Sequence, residues 1–159
     1  MPPGLASGQA TILIRNSRGS YAASKVTIEQ AVPAIFTANS AGTGDAAAIA
    51  TPDGVTYQEA PFDVMINGRP NILILFGTGF RHAPAANPGD DNGVAEAVLA
   101  TIDGKPVQVY YAGAQGQYNG LDQLNLEIPQ VLAGGPRRRV EAALSINGIV
   151  ANRVTIQIN

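Results

Sequence analysis

The chain predicts an all-β fold, a two-sheet antiparallel sandwich with an extra β-hairpin at the amino terminus, and three observations carry that expectation. First, apolar residues recur at every second position: Val107, Val109 and Tyr111 alternate with Gln108 and Tyr110, Leu124, Leu126 and Ile128 with Gln123, Asn125 and Glu127, and Val154, Ile156 and Ile158 with Arg153, Thr155 and Gln157. A period of two marks a strand with one buried and one wet face. Second, the pairs Asp53-Gly54, Asn67-Gly68, Asp103-Gly104 and Asn147-Gly148 separate the runs, and these residues tolerate the positive φ that two-residue hairpin turns require. Third, the end of the chain repeats its beginning: Pro2, Leu5 and Gly8 correspond to Pro129, Leu132 and Gly135, and Val26-Thr27-Ile28 to Val154-Thr155-Ile156. A long-period repeat of this kind signals modular architecture.

The elements follow in order. Ala10 to Arg15 alternates, Ser17-Arg18-Gly19 turns, and a second run ends at Val26-Thr27-Ile28, so residues 1–31 read as the carboxy-terminal hairpin of a preceding copy and 32–159 as one complete module. The apparent truncation of the first copy suggests that Met1 is not the natural start. Ala46 to Ala50 is small and apolar and fits either a short strand or a brief helical turn. Asp63 to Asn71 reads as an added hairpin, and Ile72 to Phe76, nearly all apolar, as the central strand buried on both faces. Arg81 to Gly93, with Pro84, Pro88 and Gly89, is expected to be a mobile surface loop. Arg137 to Arg139 is the densest charge cluster and reads as a solvated strand start that blunts a sheet edge. The runs number about nine to eleven strands, enough for two sheets to cover each other.

Composition narrows the class. Of 159 residues, 45% are hydrophobic, enough for one good core and short for two. Charged residues are 14% of the chain, Gly and Pro number 18 and 11, and there is no cysteine. Such a surface is covered by uncharged polar side chains and suits a secreted or cell-surface protein. Disulfides, a thiolate nucleophile and cysteine metal sites are excluded. A net charge of −2 without a basic stripe argues against nucleic acid as a partner. No signal-peptide pattern opens the chain, and no apolar run approaches the roughly twenty residues that span a bilayer.

Several motifs occur in a fixed order: Val32-Pro33-Ala34-Ile35-Phe36-Thr37-Ala38, Gly42-Thr43-Gly44 leading to Ala46-Ala47-Ala48-Ile49, Leu75-Phe76-Gly77-Thr78-Gly79-Phe80, Tyr110-Tyr111-Ala112-Gly113, Leu121-Asp122-Gln123-Leu124-Asn125, and Ile128-Pro129. From Val32 to Asn159 this resembles the uncharacterised carboxy-terminal repeat module of large secreted proteins of acidobacteria and their relatives. The Phe76 to Phe80 segment also resembles the strand and turn of immunoglobulin-like domains of the IPT/TIG type. Gln115 to Asn119 departs from the Pro-Gly turn that the resemblance leads one to expect. The resemblance implies an immunoglobulin-like sandwich and an extracellular setting, and it brings no catalytic residues.

No constellation for catalysis emerges. His82 is the only histidine, too few for a multi-histidine metal site and without an activated serine for a triad. Gly77-Thr78-Gly79 lacks the lysine of a phosphate-binding loop and reads as a tight turn after a buried strand. Asp90-Asp91-Asn92 is the candidate calcium site, because a hard cation accepts oxygens from an irregular loop, but a solvated turn is the simpler reading because the alternating EF-hand pattern is missing. Tyr57, Tyr110, Tyr111 and Tyr118 could stack on sugars, with packing as the plainer role. The expectation is therefore a non-catalytic extracellular spacer, anchor or filament-assembly unit. Its hairpin residues Ile12, Ile14, Val26 and Ile28 would need a partner: they either dock on this chain's own sandwich or complete a neighbouring molecule, a second copy or a neighbouring repeat module, by β-strand addition. A carbohydrate- or ligand-binding module, recognising surface glycans through the sandwich loops, is the alternative.

Overall fold

A computed structural model describes residues 5–29, 31–80 and 98–159, and the chain divides into two units, residues 1–30 and 31–159. The first unit is a hairpin of β1 (Gly8–Arg15) and β2 (Tyr21–Ile28), antiparallel, with Gly8 opposite Ile28 and Arg15 opposite Tyr21. The second unit holds β3 (Ala34–Ile35), β4 (Ala48–Thr51), β5 (Met65–Ile66), β6 (Arg69–Pro70), β7 (Ile72–Thr78), β8 (Val98–Ile102), β9 (Lys105–Pro106), β10 (Val109–Ala114), β11 (Asp122–Glu127), β12 (Arg138–Ile146), β13 (Ile149–Val150) and β14 (Val154–Ile158). Among the described residues the only helical turn is a 3-10 turn at Gln130–Leu132, so no helix there is long and apolar enough to cross a membrane.

The second unit is an all-β sandwich. One five-stranded sheet runs β10-β11-β7, with β3 and β4 both on the far edge of β7. The other places β12 at its centre, with β8 and then β9 on one side and β13 and β14 on the other. The alternation read from the sequence is what the two sheets bury. Leu73 and Leu75 of β7, Leu124 and Leu126 of β11, Ala142, Leu144 and Ile146 of β12, and Val154, Ile156 and Ile158 of β14 join one core cluster. Burial of each larger side chain contributes about 1.5–3 kcal/mol. Ile72 to Phe76 is central as expected, since β7 pairs with β11 on one edge and with β3 and β4 on the other.

Three of the four turn pairs behave as anticipated. Asn67, Asp103 and Asn147 have φ of 51, 52 and 52°, each followed by a glycine of positive φ, and they close the two-residue hairpins β5-β6, β8-β9 and β12-β13. Asp53-Gly54 does not. Asp53 instead organises a wider loop, its carboxylate accepting from the backbone N–H of Val55 at 2.9 Å and Thr56 at 2.7 Å. Ala46 to Ala50 resolves as a strand, β4 being paired with β7.

A further expectation is corrected. The run Val107 to Tyr111 is not one strand: Lys105–Pro106 pairs with β8 in one sheet, and Val109–Ala114 pairs with β11 in the other, with a bulge between Val109 and Tyr111. The chain crosses between sheets here, which a continuous two-residue period conceals. The arginine cluster stands at the start of β12, where, among the described residues, Arg138 and Arg139 pair with β14 alone and the other edge is open, because the pairing with β8 begins only at Ala142. Arg139 also pairs bidentately with Asp45, at 3.0 and 3.1 Å.

The tight turn expected at Gly77-Thr78-Gly79 is narrower than that: Gly77 and Thr78 close β7, and the chain bends only at Gly79, for a specific packing reason. A Cβ on Gly79, whose φ is +81°, would lie 2.2 Å from the Val32 carbonyl oxygen, and one on Gly77 would lie 2.3 Å from that of Ala34 and 2.5 Å from the Phe80 ring. Both glycines let the segment leading into β3 lie directly against the end of β7.

Candidate functional site

In the hairpin, directly opposed residues share a face. The pairs Gly8–Ile28, Ala10–Val26, Ile12–Ser24 and Ile14–Ala22 therefore form one uncharged face, and Gln9–Thr27, Thr11–Lys25, Leu13–Ala23 and Arg15–Tyr21 form the other. All four residues singled out from the sequence, Ile12, Ile14, Val26 and Ile28, stand on the first face. Ile12 is 46% and Ile14 68% exposed, Val26 is half-buried, and Ile28 is buried. The hairpin holds its own shape: the Asn16 side-chain oxygen accepts from the N–H of Arg18 at 2.9 Å and of Ser20 at 3.1 Å, tying off the loop. Among the described residues β1 pairs with β2 alone, so its outer edge offers free backbone groups. Leu13 and Tyr21, 63% and 74% exposed on the opposite face, were not anticipated, because Leu13 stands out of phase with the apolar alternation.

The β1-β2 and β12-β14 pairs can be compared by the residues that face each other. Ala10 faces Val26 as Ala142 faces Val154, and Gly8 faces Ile28 as Val140 faces Ile156. Ile12 and Ile14 therefore correspond to Leu144 and Ile146. Gly8 matches Val140 and not Gly135, the position that sequence alone pairs it with. The lead-in before β12 is longer than that before β1, and the turn after β12 is tighter, which sequence alignment through the Pro-Gly segments cannot place. The exposure differs sharply, since Leu144 is 2% and Ile146 0% exposed.

The polar groups of the sandwich are engaged in holding strands together. Asp45 accepts from Arg139, from the Thr155 hydroxyl at 2.7 Å and from the Gln157 amide at 3.1 Å. The Arg139 guanidinium above all, then the Thr155 hydroxyl and Gln157, hold its carboxyl down to about 2. Around it the backbone of Gly44 and Ala46 pairs with both sides of Thr155 at 2.8 Å. Phe62 pairs in the same manner with Gln157 and Asn159, so the outer edge of β14 is covered. Asn71, fully buried, donates to the Gln58 side chain at 3.1 Å and the Asp63 carbonyl at 3.0 Å. Asn152 accepts from Ile35 N–H and donates to the carbonyls of Ile35 and Gly42. That accounts for the polar atoms of Asn152 in the cleft of about 500 Å³ between β3, the turn near Ser40 and Asn152.

The tyrosines do not form one surface. Tyr57 and Tyr118, 57% and 68% exposed, lie on loops at opposite ends of β7, because Thr51 pairs with Ile72 and Asp122 with Gly77. Tyr110 donates its hydroxyl to Glu127, which raises the phenol pKa, and Tyr111 donates to the Ala114 carbonyl. Asp53 is held below the usual carboxylate range by the backbone N–H of Thr56 and then of Val55. The buried Asp122 carboxylate accepts from Phe80 N–H at 2.8 Å. The candidate calcium residues Asp90, Asp91 and Asn92, together with His82, lie outside the described residues. No family model matches the chain, and neither the curated proteins nor the solved structures contain a match.

Proposed function

We propose that this protein is a non-catalytic extracellular structural module, a spacer, anchor or assembly unit of a surface protein or filament, in which residues 31–159 are the load-carrying sandwich and the hairpin is its connector. The observation that carries the reading is the contrast between two equivalent hairpins. The β12-β14 pair supplies the sandwich with Val140, Leu144, Ile146, Val154 and Ile156, all buried, while Ile12 and Ile14 of the β1-β2 pair stand exposed. A unit already complete in its own core leaves the second hairpin available for strand addition to a neighbouring β-sandwich.

Deleting residues 1–30 tests this. The remaining sandwich should melt cooperatively within about 2 °C of the intact chain and remain monomeric, since exposed side chains add little to its stability. Loss of cooperative melting would make the hairpin part of the core and defeat the connector reading. A second reading, glycan binding through the loops, is supported by the exposure of Tyr57 and Tyr118. Their separation makes them two independent contacts, so binding to a glycan array should fall on Tyr118→Ala or Tyr57→Ala singly if either is used.

A further inference from the structure

Resting on the reading of the hairpin as a connector, we propose that the occupant of its apolar face is an incomplete β-sandwich of the same kind as residues 31–159, one that lacks its own last hairpin. Register carries the identification. In the sandwich, β12 is flanked by β14 on one edge and by β8 on the other, with Ala142 opposite Ile102, Leu144 opposite Ala100 and Ile146 opposite Val98. The β1-β2 pair reproduces the β12-β14 half of this arrangement, down to the Ala-Val pairs Ala10–Val26 and Ala142–Val154. What it lacks is the β8 strand along the outer edge of β1 and the opposing sheet that β7 and β11 provide.

The missing partner therefore has a defined chemistry. It presents an antiparallel strand with valine-, alanine- and isoleucine-sized residues opposite Ile14, Ile12 and Ala10. Behind that strand it carries a leucine-rich sheet face like that of Leu73, Leu75, Leu124 and Leu126. Ile12 for Leu144 conserves volume, and Ile14 matches Ile146 outright, so the seat accepts both. The two faces of the hairpin agree with this polarity: Gly8, Ala10, Ile12, Ile14, Ala22, Ser24, Val26 and Ile28 carry no charge, while the other face carries Arg15 and Lys25. A second intact copy is the poorer occupant, because its own β12-β14 pair already fills the seat and its β8 is already paired.

Residues 31–136 carrying an affinity tag, a sandwich without its last hairpin, are co-expressed with the intact chain, with the Ile12→Asp/Ile14→Asp chain, or with the segment 137–159 as the native filler. Expected is capture of the intact chain and of the native segment, with capture of the double variant reduced at least about tenfold. The proposal is overturned if the native segment is captured and the intact chain is not, or if the double variant is captured equally well. Failure of both fillers overturns it too, since the seat would then not accept a hairpin added from outside. In parallel, light scattering of the intact chain over a range of concentrations should show a monomer. A reversible dimer abolished by Ile12→Asp/Ile14→Asp would name a second copy as the occupant instead. The deletion of residues 1–30 reads the connector reading independently, through melting alone.

Discussion

Asp45→Asn removes the charge that joins the segment ahead of β4 to β12 and β14 while keeping the side chain's size. The wild-type carboxyl is lowered from 3.8 to about 2, and a shift of that extent corresponds to at most about 2.4 kcal/mol between folded and unfolded states. Solvent screens much of it: the Asp45 side chain is 33% and that of Arg139 64% exposed, so about 1 kcal/mol is the working figure. For a unit of this length that is a fall of about 3–5 °C in Tm at neutral pH. The sign follows from the lowered folded-state pKa. The contribution is fully present above the unfolded value of 3.8 and is lost as pH falls through about 2. Thermal melts of wild type and Asp45→Asn across this range should therefore show a gap at pH 7 that narrows below pH 4 and closes below pH 2. A gap of constant size throughout would refute the argument, because it would trace the loss to hydrogen bonding or packing and not to the charge.

Gly79→Ala and Gly77→Ala should each cost about 2–4 kcal/mol in urea unfolding, from backbone overlap at both and positive φ at Gly79. Gly68→Ala, with positive φ but open space around it, should cost only about 1 kcal/mol. Leu144→Ala should destabilise by about 2–5 kcal/mol, whereas Ile12→Ala, at the equivalent exposed position, should stay within about 0.5 kcal/mol in the isolated chain. Excess calcium added to chelated protein is expected to leave Tm unchanged, and a rise of more than about 2 °C would make Asp90-Asp91-Asn92 a cation site.

The hairpin face was legible because it depends on parity alone: Ile12, Ile14, Val26 and Ile28 fall on one face once the turn sets which residues oppose. Its register was less legible. Sequence alignment anchors on the Pro-Gly lead-in, while strand pairing anchors on the residues that face each other, so Gly8 moved from Gly135 to Val140. The Asp45–Arg139 pair was not legible, since 94 residues separate the partners and the arginine cluster marks a charge at Arg139 without naming its partner. Asp53-Gly54 resembles the three true hairpin turns in composition, yet the Asp53 carboxylate captures backbone N–H groups of its own loop and prevents a two-residue closure.

By itself the sequence determined the all-β class, most of the strand faces and three of the hairpin turns, because these follow from side-chain alternation and local φ preferences within a few residues. Only the tertiary structure decided that β12 has neighbours on both sides from Ala142 onward, that the run at Val107 to Tyr111 is divided between sheets, and that Leu144 and Ile146 are buried while Ile12 and Ile14 are exposed. Those outcomes depend on which distant strands come to lie alongside, and a two-residue period is the same whether a strand has one neighbour or two.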